Sequence, residues 1–184
     1  IDKAERVLEG DDAELQLAIA GLLTPICKAH CTDLAFDITA IALQCYGGYG
    51  YTKEYPVEQY VRDTKIASIY EGTNGVQAMD LLGRKMRSKG GMVFMAWMAE
   101  TSAVLDQAKQ TGKLDEVVGA MESARDALAG CAMHLGGLGM AGNTKGAMLQ
   151  ATPFLNMFGH VVLGREAVEQ ARIAVEKLQS DLSD

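Results

Sequence analysis

With 184 residues, 48% of them hydrophobic and only three prolines, the chain suits one domain with a packed helical core. A formal net charge of −7 leaves no electrostatic footprint for nucleic acid or an anionic membrane surface. A charged fraction of 22% without a long like-charge run argues against disorder, and no apolar stretch reaches the roughly 18 residues of a membrane span.

The N-terminal residues Ile1-Asp2-Lys3-Ala4-Glu5-Arg6 lack the apolar segment of a signal peptide and an initiator Met, which fits a piece of a longer chain. Asp11-Asp12 signals a helix start, and residues 13–23 carry the helix. Thr24-Pro25 fits either a restart, with Thr24 as N-cap and Pro25 at N1, or a kink. Residues 25–46 read as a long helix with Ile26, Leu34, Ile38, Ile41 and Cys45 at helical spacing. Gly47-Gly48 ends it. Pro56 opens a short helix from Val57 to about Ile66, and another is expected from about Thr73 to Arg87.

Ser88-Lys89-Gly90-Gly91 is the clearest internal boundary, dividing the chain into residues 1–89 and 90–184. Beyond it the pattern predicts helices over 92–111, 114–135, about 143–149 and about 152–178, with residues 136–143 as a glycine-rich loop. Met92, Met95, Trp97 and Met98 form an apolar face, read first as core and second as added interface. No run has the length and alternation of a strand, so the expected class is all-α.

Of the four cysteines, Cys27 and Cys31 fall on one helix face with His30 between them. A metal site needs a second ligand pair, and none follows; core thiols are the better reading, so no metal is expected. Free thiols fit a reducing, cytoplasmic compartment. Helices ending in Gly-Gly-x-Gly occur at residues 47–50 and 136–139. A dinucleotide fingerprint requires a preceding strand, and a helix precedes both, so a C-cap with a tight turn is expected at 136–139.

The most suggestive stretch is Ile69-Tyr70-Glu71-Gly72-Thr73-Asn74-Gly75-Val76-Gln77. Thr73 or Asn74 can cap a following helix, which puts Glu71 just outside its N-terminus. Gly72 permits close approach by a ligand or a second backbone. One carboxylate at an element end, beside bulky apolar residues, is the layout of a general base. On these residues alone, an ordinary loop glutamate stabilised by the helix dipole is the stronger reading.

Taken together, Gln44-Cys45-Tyr46-Gly47-Gly48-Tyr49-Gly50-Tyr51, Glu54-Tyr55-Pro56-Val57-Glu58, Val61-Arg62-Asp63, Lys65-Ile66 and Ile69 to Thr73 form an ordered set. It resembles the C-terminal helical domain of the flavin-dependent acyl-CoA dehydrogenases over roughly residues 13–87. Leu23-Thr24-Pro25, Tyr70 to Gly75 and Asp80-Leu81-Leu82-Gly83-Arg84-Lys85 look closest to the branch of the 3-methylmercaptopropionyl-CoA dehydrogenases. That branch carries an extra C-terminal helical region, here residues 90–184.

The resemblance reverses the reading of Glu71. It implies that this carboxylate removes the α-proton of an acyl-CoA and that FAD accepts the β-hydride. The backbone N–H of Glu71 would help to stabilise the enolate oxygen. It also implies that Gly72 contacts substrate and that Thr73, Asn74 and Gly75 contact flavin. Gln44, Cys45, Tyr46, Gly47 and Gly48 would contact the ADP portion of the flavin across a subunit interface. Gly75 stands where many members have a polar side chain, so a contact there runs through backbone. The implied assembly is a homo-oligomer, dimer or tetramer, with electron-transfer flavoprotein as partner. The family's N-terminal helical and middle β-domains are not in this sequence, so the chain alone should lack activity. Two alternatives stay open: a non-catalytic helical oligomerisation module, and an acyl-CoA oxidase using the same base and flavin.

Overall fold

A computed structural model describes residue 1 and residues 5–181, and every regular element among them is helical, as expected. The order is α1 Gly10–Cys45, a 3-10 turn Gly47–Tyr51, α2 Val57–Ala67, α3 Asn74–Gly83 and a 3-10 segment Lys85–Gly91. Then come α4 Met92–Gln110, α5 Asp115–Met140, α6 Thr144–Met148 and α7 Ala151–Asp181.

Helix α1 runs 36 residues without interruption, about 54 Å at the α-helical rise. Thr24-Pro25 therefore neither restarts nor ends it. Pro25 has no N–H to offer the Gly21 carbonyl, and the Thr24 hydroxyl instead bonds back to Ala20 O at 2.8 Å. Burial of Leu22 and Ile26 on either side of the proline holds the two halves in one element.

Two hydrophobic clusters lie among the described residues; the smaller is formed by Leu105, Ala108, Val118 and Val168, and the larger joins both halves of the chain. Ile19, Leu22, Ile26 and Ala29 of α1 and Ala78 and Leu81 of α3 join Val93, Phe94 and Trp97 of α4. Leu128 and Leu135 of α5, and Phe154, Leu155 and Phe158 of α7, complete the same cluster. Phe158 is its centre: its ring lies 4.7 Å from Trp97, 5.7 Å from Phe94 and 6.1 Å from Phe154 by centroid. Fully burying such a side chain contributes about 1.5–3 kcal/mol. The apolar face read on α4 divides accordingly. Trp97 is buried and Met98 packs on the core, whereas Met92 and Met95 are exposed.

Several boundaries differ from the pattern. The helix expected to reach Arg87 stops at Gly83, because Arg84 leaves helical geometry (φ −121°, ψ −54°); in the 3-10 segment that follows, Ser88 is extended and Lys89, Gly90 and Gly91 take left-handed φ values of 48°, 69° and 89°. Helix α5 continues past Leu135 to Met140, so Gly136, Gly137 and Gly139 are helical rather than a capping turn. Glycine costs about 1 kcal/mol in such positions. Burial of Leu135 and packing of Leu138 on the core offset that cost. The real terminus is Gly142 (φ 83°), where Asn143 N–H donates to Leu138 O and Gly142 N–H to Gly139 O; this is a Schellman motif. Along α1, Ile38 and Ile41 share the helical stripe but are exposed, since no element among the described residues covers them. Cys27 and Cys31 are likewise exposed and free rather than core thiols.

Helix α7 closes against α1 through a close approach at Gly159. A Cβ there would lie 2.5 Å from Cγ of the buried His30 ring. His30 in turn meets His160, Nε2 to Nδ1, at 3.3 Å. Gly159→Ala should destabilise by about 1–3 kcal/mol through overpacking, although alanine favours helix. Gly119→Ala in α5, where a Cβ meets nothing within 4 Å, should stabilise by about 0.4–1 kcal/mol. Urea denaturation of both variants checks the contrast. Burial, and secondarily the neighbouring His160, hold the His30 pKa below its usual 6.5. The unfolded chain then takes up a proton more readily, so stability should fall as pH drops below about 6.5. His30→Gln should flatten that slope in denaturation curves measured against pH.

Candidate active site

The Glu71 turn joins α2 to α3 and is fixed from both sides. Ser68 and Ile69 close the end of α2 by bonding to Lys65 O and Ile66 O. Thr73 is the N-cap of α3, its hydroxyl accepting from Val76 N–H at 3.3 Å. Of the two capping candidates the structure uses Thr73, because the Asn74 side chain is engaged elsewhere. Glu71 lies two residues before the cap, with φ 55°, and Gly72 follows with φ 85°. Left-handed backbone is unfavourable for a residue with a Cβ, by about 1–2 kcal/mol, and such strain persists only where the surroundings hold it.

The surroundings are polar contacts with α1. Asn74 Nδ2 donates to Ala29 O at 3.1 Å, Thr32 Oγ1 at 3.0 Å and Asp33 Oδ1 at 2.8 Å. Asn74 Oδ1 accepts from Lys28 Nζ at 2.8 Å, and its backbone N–H donates to Ser68 O. Lys28 Nζ also donates to Gly72 O at 2.6 Å, and Gln77 Nε2 to Glu71 O at 3.3 Å. The backbone N–H of Glu71 has no acceptor among the described residues. Glu71, Gly72 and Thr73 are exposed, and Ile69 and Tyr70 are each about half exposed (52%). The apolar wall that a dry site needs is therefore incomplete within this chain.

The second set of residues lies at the far end of α1. Gln44 and Cys45 are its last two residues, and Tyr46 with Gly47 (φ 59°) turns the chain into the 3-10 segment. Gln44 to Gly48 are all exposed, and a Cβ on Gly47 or Gly48 would meet nothing within 4 Å. From Asp33, where Asn74 is anchored, to Gln44 is roughly 16 Å along the helix. The structure does not bring the two sets into one pocket.

Both sets are open to a flavin cofactor, in different ways. Gly47 and Gly48 present bare backbone, and a Cβ on Gly75 would meet only Thr73 Oγ1 at 3.9 Å. Asn74 is the exception, since its amide and its N–H are already spent on α1 and Ser68. The residues the sequence pattern missed are Lys28, Thr32 and Asp33. They sit on a helix with no local motif, and only the docking of α3 shows their use. A separate depression of about 390 Å³ is lined by Cys131, His134, Leu135, Gln150, Phe154 and Met157, and by no residue of either set. Among the described residues no cluster of three or more His, Cys, Asp or Glu is placed to hold a metal. No helix there is long and apolar enough to cross a membrane.

The family model for the acyl-CoA dehydrogenase C-terminal domain matches residues 4–86, and the acetyl-CoA dehydrogenase C-terminal-like model matches residues 94–184. The chain belongs to the acyl-CoA dehydrogenase family. It is 33% identical over 177 residues to a butyryl-CoA dehydrogenase of Syntrophomonas wolfei, covering 96% of this chain and 28% of that protein. A 3-methylmercaptopropionyl-CoA dehydrogenase of Ruegeria pomeroyi is 35% identical over 168 residues, 89% of this chain and 28% of that protein. A short-chain-specific acyl-CoA dehydrogenase of Clostridium acetobutylicum is 52% identical over 60 residues, 33% of this chain and 16% of that protein. The chain spans less than a third of the length of these relatives.

If Asn74 anchors the turn as the contacts imply, Asn74→Ala should cost about 1–3 kcal/mol by stripping partners from partly buried groups. Thr73→Ala, which removes one cap bond, should cost about 1 kcal/mol. Chemical denaturation that ranks Thr73→Ala as the more damaging would contradict this order.

Proposed function

We propose that the chain is the C-terminal part of an FAD-dependent acyl-CoA dehydrogenase in which Glu71 removes the α-proton of the acyl thioester. The observation that carries the reading is the Glu71 turn itself. An exposed carboxylate stands on strained backbone that a polar network holds in place, with no acceptor for its own N–H among the described residues. A structural loop glutamate needs none of this.

In this reading the Glu71 carboxylate takes the proton and its backbone N–H donates to the thioester oxygen as enolate charge develops. Gly72 lets the acyl chain pass close to the backbone. Bound FAD supplies the acceptor for the β-hydride, which leaves a trans-2-enoyl-CoA. Thr73, Asn74 and Gly75 lie on the flavin side of the turn, and Asn74 serves chiefly to hold that segment against α1. Gln44, Cys45, Tyr46, Gly47 and Gly48 contact the flavin of another subunit. Their distance from Glu71 supports an arrangement across an oligomer interface. So do the exposed Ile38, Ile41, Tyr46, Tyr49 and Tyr51, which one subunit leaves uncovered. Electron-transfer flavoprotein is the acceptor in this reading, and oxygen consumption during turnover would point to an oxidase instead.

Glu71→Gln nearly preserves shape and removes the basic carboxylate. In the full-length enzyme it should leave flavin content unchanged and slow flavin bleaching by acyl-CoA by about 10²–10⁴-fold. Stopped-flow absorbance gives the rate, and bleaching at the parent rate would remove Glu71 from the mechanism. The isolated chain should bind FAD weakly or not at all, because most of the site lies in other domains. Flavin retained in stoichiometric amount by this chain would contradict the assignment.

A further inference from the structure

We propose that Lys28 is the positioning residue of the Glu71 base, an inference that rests on the role proposed for Glu71. Glu71 and Gly72 both sit in left-handed backbone, and relaxation of Glu71 toward negative φ would swing its carboxylate away. Three contacts oppose that motion. Gln77 Nε2 to Glu71 O, at 3.3 Å, is long and neutral. Asn74 N–H to Ser68 O, at 3.2 Å, ties the ends of the loop without gripping its centre. Lys28 Nζ to Gly72 O, at 2.6 Å, is short and charge-assisted, and it acts one peptide from Glu71.

Lys28 also reaches Asn74 Oδ1 at 2.8 Å, at the first residue of α3. One ammonium group thus spans the exit of the turn and binds it to α1, 44 residues upstream of Gly72. Lys28 is half-buried and takes part in none of the ion pairs among the described residues. Its charge is directed at a carbonyl and an amide oxygen rather than at a carboxylate. A surface lysine kept for solubility has no reason to be held there. A cation that fixes a strained carbonyl beside the base does.

A merely structural lysine and a positioning lysine differ in what their loss changes. Lys28→Met in the full-length enzyme removes both hydrogen bonds of Nζ at similar side-chain length. The expected result is retained flavin and nearly unchanged half-saturation by acyl-CoA, with limiting flavin reduction slowed about 10–100-fold, the scale of a small misplacement of a reacting group. Lys28→Arg keeps a cationic donor and should recover most of that rate. If Lys28→Met loses flavin or fold, Lys28→Gln is measured in its place under the same criterion. Reduction at the parent rate in the folded variant, or a slowed rate that arginine does not recover, overturns the positioning role. Glu71→Gln run alongside separates the two failures. If it is slow while Lys28→Met is fast, only the role of Lys28 falls. If Glu71→Gln is itself fast, the base is wrong and the role of Lys28 falls with it.

Discussion

The structure depends on what one helix does along its length. The first half of α1 buries Ile19, Leu22, Ile26 and Ala29 in a core shared with α3, α4, α5 and α7. Its middle carries Lys28, Thr32 and Asp33, which receive the start of α3. Its end exposes Ile38, Ile41 and the Gln44–Gly48 segment. The order of burial, polar docking and exposure follows from position along a rigid rod about 54 Å long. The Glu71 turn cannot be placed without it, because the turn has no core of its own.

That arrangement explains how strained backbone persists at the surface. Hydrophobic burial is non-directional and could not enforce a left-handed pair at Glu71 and Gly72. Directional contacts can, and the turn has them at two carbonyls and through every polar group of the Asn74 side chain. The core supplies the rigid platform and the hydrogen bonds supply the geometry. The geometry of the turn is thus set at the surface of this chain without a core of its own.

The C-terminal half belongs to the same core rather than to an appendage. Phe154 and Phe158 of α7 and Trp97 of α4 pack in one cluster with Leu22 and Ile26 of α1. The contact of His30 with His160 and the close approach at Gly159 join α7 to α1 next to the polar residues that dock α3.

Much was legible in the sequence, where the signal is local. Helical periodicity gave the class, Gly47 marked the end of α1, Pro56 stood at the head of α2, and Thr73 capped α3. The Glu71 turn stood out because a carboxylate, a glycine and a capping residue are adjacent. Tertiary structure alone decided the rest. Pro25 and Gly136, Gly137 and Gly139 stay helical because buried neighbours outweigh weak local propensity. Ile38 and Ile41 match the apolar stripe but lie bare, since periodicity marks a face and says nothing of what covers it. Lys28 belongs to the site only because a residue 46 positions later folds back onto it. Sequence determines which groups are available at each turn of a helix, whereas long-range packing determines which of them meet.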